Sequence, residues 1–467
     1  MGPRRPDGPL GRTHVVCTRF ESNTASERAF PWWGYSGISV FGVGVWLLAA
    51  DVPVWNTVWY LPAWYGYLLV LDGLILRSQG RSFLSDRRSE TVALLFWSVP
   101  FWFLYEAYNL VIENWYYVFG LRSDTWGFAF SAAAFATVLP ACFLHAEWLK
   151  SMRRFRTIQC RGLRVTWKTE ATTWVVGAAC AILPLIWPRY AFWLVWGATL
   201  GIPEAVNYRL GAPSLLRDLE NGRPGRLLRL LYGGAWAGVV WEGFNYWSRC
   251  KWIYTVPGLE GWKLFEMPLP GFLGFPVLAV NGFACYALLC HALRGGRGWE
   301  GGGGFGRPVR FRCWVAAVLA VLFSVSTYGM VQGKTQKSRR PLMSELAGLD
   351  AQDRERLRAA GISTPERLYR ASESHEIPYL SGVAGVDSLR LKNAILHAEL
   401  AIHKGMGCQA ATLLRNTGVD GVAGLASANA ETLYGRIKEL KSEVRKPSLA
   451  EVRVWVRAAD PHGKPRR

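Results

Sequence analysis

The chain has 467 residues and a formal net charge of +20, with 51% hydrophobic, 14% aromatic and only 19% charged residues. A soluble chain usually carries about 25% charged residues, and here the apolar excess gathers in the first two thirds, in windows of about 20 residues, the length that crosses a bilayer as a helix. A single soluble enzyme, a disordered chain and a disulfide-stapled secreted module are thereby excluded. The basic excess divides as +16 over residues 1–341, +1 over 342–446 and +3 over 447–467. It belongs to the loops of the apolar part, where Lys and Arg set orientation and meet anionic lipid.

In chain order, a polar N-terminal segment (1–32) shows no apolar core of signal-peptide length. Nine candidate spans follow, at roughly 33–50, 55–76, 91–112, 126–148, 171–187, 190–208, 227–248, 268–293 and 312–331. Basic residues alternate between the connections. Arg77, Arg81, Arg87 and Arg88 lie in 77–90 and seven Lys or Arg in 149–170, against Arg122 alone in 113–125. This pattern puts the protein in the cell membrane as a multi-pass chain with a cytoplasmic N-terminus. Nine spans put the C-terminal part outside, whereas Lys334, Lys337, Arg339 and Arg340 after the last span favour the inside, so its side stays open.

Spans one to eight read as two parallel repeats of four, 33–149 and 150–294. The third span carries Tyr105-Glu106-x-x-Asn109 and ends in Trp115-x-Tyr117; the seventh carries Trp241-Glu242-x-x-Asn245 and ends in Trp252-x-Tyr254. Asp72 precedes Arg77 by five residues as Glu204 precedes Arg209, and His145-Ala146 and His291-Ala292 close the fourth and eighth spans. The second copy has extra residues from Phe265-Glu266 to Pro276, with three prolines and two glycines, and a break or re-entrant turn is expected there. The fold class is therefore all-α: a polytopic bundle of two parallel four-helix repeats, a Gly-rich linker (295–311), a ninth span (312–333), a small soluble domain (342–459) and a basic tail (460–467).

An ionisable residue inside a membrane is costly and marks a functional site or a structural network. A carboxyl in an apolar site favours its protonated form and can act as a proton donor. By the repeat, spans three and seven should face each other, with Glu106, Asn109, Glu242 and Asn245 converging and sharing hydrogen bonds. The bland alternative is that the Glu–Asn pairs only glue the helices together.

The aromatic-acid-x-x-Asn pattern followed by Trp-x-Tyr, in a unit present twice over residues 35–293, resembles the lycopene cyclase domain of carotenoid-producing organisms. Pro203-Glu204 and Glu266-Met267-Pro268 stand where that family has a proline with acids. The resemblance implies an acid-catalysed isomerisation of an isoprenoid or polyene lipid. Glu106, Glu242 and Glu204 would be the acids and base, with Asn109 and Asn245 beside them. Trp115, Tyr117, Trp252, Tyr254 and Glu266 would bind substrate, and aromatic faces would stabilise a carbocation. The alternative is a non-enzymatic scaffold, lipid carrier or transporter-like protein. The nine cysteines include no C-x-x-C pair, and neither metal nor cofactor is expected.

The C-terminal part repeats a helix, Gly-hydrophobic turn, helix pattern at Gly361-Ile362 and Gly418-Val419, with Gly405-Met406-Gly407 before the second. This is the helix-hairpin-helix pattern, and 342–459 resembles a bacterial domain of unknown function of that type. Such hairpins can hold a phosphate backbone. The near-neutral charge points instead to a protein partner, and nucleic acid is not expected.

Overall fold

The computed structural model describes residues 29–152, 155, 157–256, 262–296, 298–300 and 310–459. The expected polar N-terminal segment, apart from 29–32, the middle of the Gly-rich linker and the basic tail lie outside the described residues. The chain is mostly helical. The first part contains α1 (Trp32–Ala49), α2 (Tyr60–Gln79), α3 (Arg88–Ile112), β1 (Trp115–Val118), α4 (Asp124–Phe135), α5 (Val138–Lys150), α6 (Trp167–Ile186), α7 (Gly201–Leu210), α8 (Gly225–Trp247), β2 (Lys251–Tyr254), β3 (Lys263–Leu264), β4 (Met267–Pro268), α9 (Gly274–Leu293) and α10 (Arg310–Lys334). The C-terminal domain contains α11 (Ala351–Ala359), α12 (Pro365–Ser374), α13 (Ile377–Ala384), α14 (Ser388–Ile402), α15 (Gly407–Asn416), α16 (Gly421–Ala426), α17 (Ala430–Glu439) and α18 (Leu449–Ala459).

Among the described residues five helical stretches, against the nine spans expected, are long and apolar enough to cross a membrane: Trp32–Ala49, Asp124–Lys150, Trp167–Ile186, Leu269–Leu293 and Arg310–Lys334. On α1, α6 and α10 large apolar side chains point away from the protein, among them Trp46, Val175, Trp314 and Leu322. The other long helices, α2, α3 and α8, carry Asp72, Glu106, Asn109, Arg229 and Glu242 and bury these residues inside the bundle. Four expected spans differ from single helices: the second is divided at Trp59, and the eighth enters its helix through the 3₁₀ turn Leu269–Leu273. The fourth is divided after Phe135, because Pro140 cannot donate to the carbonyl of residue 136 and its ring crowds that turn. The sixth, 190–208, consists of a short helix at Pro188–Ala191, a 3₁₀ turn at Phe192–Gly197 and α7. At ten residues, α7 rises only about 15 Å.

Backbone contact sets how the helices pair. A Cβ on Gly37 would lie 2.6 Å from the Gly66 carbonyl oxygen, where α1 crosses α2, and one on Gly177 would lie 2.8 Å from the Gly201 Cα, where α6 meets α7. Only glycine permits either approach. The expected break in the second copy is present: β3 and β4 form a two-residue-per-strand hairpin, followed by a 3₁₀ turn at Leu269–Leu273 that leads into α9. The C-terminal domain has its own core, built on Leu357, Leu368, Leu391, Leu414, Leu425 and Trp455.

Candidate functional site

The two copies of the polar motif meet through a short antiparallel ladder. Trp115 pairs with Tyr254, Tyr116 with Ile253, Tyr117 with Trp252 and Val118 with Lys251. Successive side chains of a strand point to opposite faces, and this explains the Trp-x-Tyr spacing: both rings of each motif lie on the face turned to its glutamate. Glu106 Oε1 accepts from Trp115 Nε1 at 3.1 Å, Tyr117 Oη at 2.5 Å and Trp102 Nε1 at 2.9 Å. Glu242 Oε1 accepts from Trp252 Nε1 at 3.3 Å and Tyr254 Oη at 2.9 Å. Both glutamates are fully buried, and Oε2 of each has no hydrogen-bond partner among the described residues.

The asparagines hold the strands. Asn109 Oδ1 accepts from the Asn114 and Trp115 amides and its Nδ2 donates to the Trp115 carbonyl at 2.8 Å. Asn245 accepts from the Trp252 amide and donates to its carbonyl, both at 3.0 Å. Neither bonds to its neighbouring glutamate, and the two glutamates share no hydrogen bond, contrary to the shared bonds expected from the repeat. The strands carry the pairing instead. A cavity of about 90 Å³ lies beside them, lined by Glu106, Trp102, Trp115, Tyr117, Trp252 and Tyr254 together with Phe130 and Trp241. Glu242 sits behind its own Trp252 and Tyr254.

The remaining candidates lie elsewhere. Glu204 accepts from Ser214 Oγ at 2.5 Å and the Leu216 amide at 2.9 Å, and so fastens the loop after α7. Asp72 does the same after α2, accepting from Ser82 Oγ at 2.7 Å and the Phe83 amide at 2.9 Å. These two acids match each other and take no part in the aromatic cavity. Glu266 is also outside it, buried between Lys251 at 2.8 Å and Lys404 at 3.3 Å. Burial alone would raise its pKa, but the two ammonium groups outweigh that and hold it at about 2. His145 is buried with Tyr67 Oη at 2.7 Å, whereas His291 is exposed, so the paired histidines have different surroundings.

Two features went unread in the sequence. One is Trp102, the third donor to Glu106, one helical turn before it. The other is the edge formed by residues 335–339. The Tyr117 amide donates to the Thr335 carbonyl at 2.9 Å and the Lys337 amide to the Tyr117 carbonyl at 2.8 Å. The period-2 alternation of Trp-Tyr-Tyr-Val, polar rings on one face and Tyr116 and Val118 on the other, was the available signal. That second face, with Ile253, packs against Val454 of the C-terminal domain.

In the C-terminal domain Gly361, Gly405, Gly407 and Gly418 all have left-handed φ, from 68° to 88°. Ile362 and Val419, which follow two of them, are buried as the hairpin pattern requires. The Gly405 turn is covered by the chain itself: Ser338 Oγ donates to its carbonyl at 2.5 Å, and a Cβ there would lie 2.5 Å from Val118.

Residues 347–462 match the family described as a domain of unknown function, DUF4332. No curated protein and no solved structure matches the chain. Among the described residues no group of three or more His, Cys, Asp or Glu is placed to hold a metal ion.

Proposed function

We propose that the chain is a multi-pass membrane protein of two parallel repeats that takes one end of a polyene or isoprenoid lipid into the aromatic cavity and isomerises it by acid catalysis. Support for the repeat comes from matched hydrogen bonds: Asp72 with Ser82 and Glu204 with Ser214, Asn109 with Trp115 and Asn245 with Trp252, Glu106 and Glu242 each with its own Trp and Tyr. The basic loops 77–90 and 149–170 would then face the cytoplasm. Support for a membrane comes from the apolar faces of α1, α6 and α10, which would otherwise stand in water.

The observation that carries the chemistry is Glu106: it lines the cavity, Oε1 holds three donors, and Oε2 is unpartnered. Catalysis on this reading requires a proton on Oε2, since Oε1 accepts from three donors. That proton adds to a terminal double bond, the resulting carbocation rests against the faces of Trp115 and Trp252, and ring closure follows. Loss of a proton from the adjacent carbon to the carboxylate restores the acid, with no net oxidation. The cavity volume admits one end of a long lipid and not its whole length.

The competing scaffold reading is favoured by the two asparagines, whose amides serve only the backbone of the strands. Expression of the full chain in cells that accumulate lycopene separates the two. Ringed pigment from the wild type, lost in Glu106→Gln with insertion intact, supports catalysis; unchanged linear pigment from well-inserted wild type removes it.

A further inference from the structure

A second and larger cavity, of about 1140 Å³, lies between the apolar part and the C-terminal domain. One wall is apolar, made by Phe41, Val45 and Leu48 of α1 with Phe244 and Trp247 of α8. Both helices run in the same direction from apolar to charged: α1 leads to Asp51, and α8 leads to Arg249 and Lys251. The C-terminal domain closes the charged end with Arg370 and Lys404.

The charges there do not balance. Asp51 is shared by Arg370 at 2.8 Å and Arg249 at 3.8 Å, and Glu266 by Lys251 at 2.8 Å and Lys404 at 3.3 Å. Among the described lining residues, four cations thus face two carboxylates, an excess of two positive charges. The backbone is strained at the same place. Asp51, Phe119, Phe265 and Lys404, with φ from 47° to 58°, line this cavity, and they are four of the five non-glycine residues in the left-handed region among the described residues. Such strain persists where the surrounding structure fixes it and gathers at ligand sites.

We propose that this cavity binds an anionic lipid, its phosphate headgroup between Arg249, Lys251, Arg370 and Lys404 and its chain along Phe41, Val45, Leu48, Phe244 and Trp247. The site rests on the membrane reading above but not on catalysis. A phosphate diester or monoester supplies one or two negative charges, matching the excess, and its oxygens are the acceptors that Lys and Arg recognise. Free phosphate would meet the cations but leave the apolar wall uncovered. Because two cations come from each part of the chain, the headgroup also joins the C-terminal domain to the bundle.

The full chain reconstituted in nanodiscs of equal phosphatidylglycerol and phosphatidylcholine, with retained lipid counted by native mass spectrometry, tests this. Two uncompensated cations near a bilayer favour the anionic lipid by roughly tenfold or more. Arg370→Gln with Lys404→Gln should bring the ratio to near equality, while Arg370→Lys with Lys404→Arg should keep it, which separates lost charge from misfolding. Val45→Glu should lower it through the apolar wall, and Glu106→Gln should leave it unchanged. Equal retention of the two lipids by inserted wild type overturns the site, as does the same enrichment in the Gln double variant. Displacement of the lipid by millimolar inorganic phosphate would make it a free-anion site and overturn the lipid assignment. A chain that stays outside the bilayer overturns the membrane reading and this site together.

Discussion

Residues 88–118 and 225–254 carry the same polar pattern and make the same bonds to their own strands, yet only the first brings its acid to the cavity. The difference begins four residues before each glutamate. In the first copy this position is Trp102, which donates to Glu106; in the second it is Gly238, where the Phe275 ring lies so close that a Cβ would approach it to 2.1 Å. Phe275 comes from the proline-rich insertion unique to the second copy. One unit therefore presents a carboxyl held by three donors, and the other supplies Trp252, Tyr254 and Trp241 as walls. On the proposed reading, this difference makes one unit the acid and the other its enclosure.

If that division of roles is right, activity should be lopsided. Glu106→Gln keeps the shape and removes the proton, and should lower turnover of a polyene by at least roughly a hundredfold; Glu242→Gln should cost less than about tenfold. Pigment analysis of equal amounts of inserted protein reads both. Equal losses would break the comparison and restore a symmetric site.

Stability should follow the donor count. Glu106→Leu strands three donors and should cost about 3–5 kcal/mol, against about 1–3 for Glu242→Leu, where Trp252 Nε1 keeps Tyr254 Oη at 2.9 Å. Since the carboxyls share no hydrogen bond, the double variant should cost the sum within about 0.5 kcal/mol. Helix loss by circular dichroism during denaturant titration measures all three. A strongly sub-additive double variant would mean that the two acids meet directly.

How far the sequence reveals these roles depends on which physical rule each residue obeys. The long apolar runs, the left-handed glycines at 361 and 418 and the broken backbone at 265–276 follow from local chemistry, and all were legible. The repeat of Glu-x-x-Asn and Trp-x-Tyr singled out residues that two paired strands bring together. What they touch was not legible, because the i, i+3 geometry of a helix suggested a Glu–Asn pair, whereas each Asn turns to the strand that follows. Glu204 and Glu266 illustrate the limit from the other side. An acid in an apolar window reads alike whether it fastens a loop, pairs with lysines or lines a cavity, and Lys404 is 138 residues from Glu266 in sequence.

The junction with the C-terminal domain holds Glu266 buried between two lysines, and acid should expose it. Glu266 is held at about 2 in place of its ordinary 4.5 by Lys251 and Lys404. A depressed carboxyl contributes stability that is complete above its unfolded pKa and is lost as pH falls toward the folded value. The contact between the two parts should therefore weaken between pH 4.5 and about 2, by roughly 2 kcal/mol. The thermal midpoint of the full chain should fall over that window in wild type, and less steeply in Glu266→Gln. An unchanged slope in the variant would assign the acid sensitivity to other carboxyls.

The smallest expected effect isolates Trp102, the residue that distinguishes the copies. Trp102→Phe keeps an aromatic ring against the cavity but removes the Nε1 donor at 2.9 Å, leaving Glu106 Oε1 with Trp115 and Tyr117, the two donors that Glu242 has from its own strand. One such hydrogen bond is worth about 1 kcal/mol, and the smaller ring adds some lost packing. If the third donor merely braces the helix, stability should fall by that amount while turnover stays near wild type. If it fixes which oxygen of Glu106 carries the proton, turnover should fall about tenfold with little further loss of stability, because the acid could then carry its proton on Oε1 as well as Oε2. Measuring turnover and the denaturation midpoint on the same preparation tells whether the asymmetry between the copies serves the chemistry or only the packing.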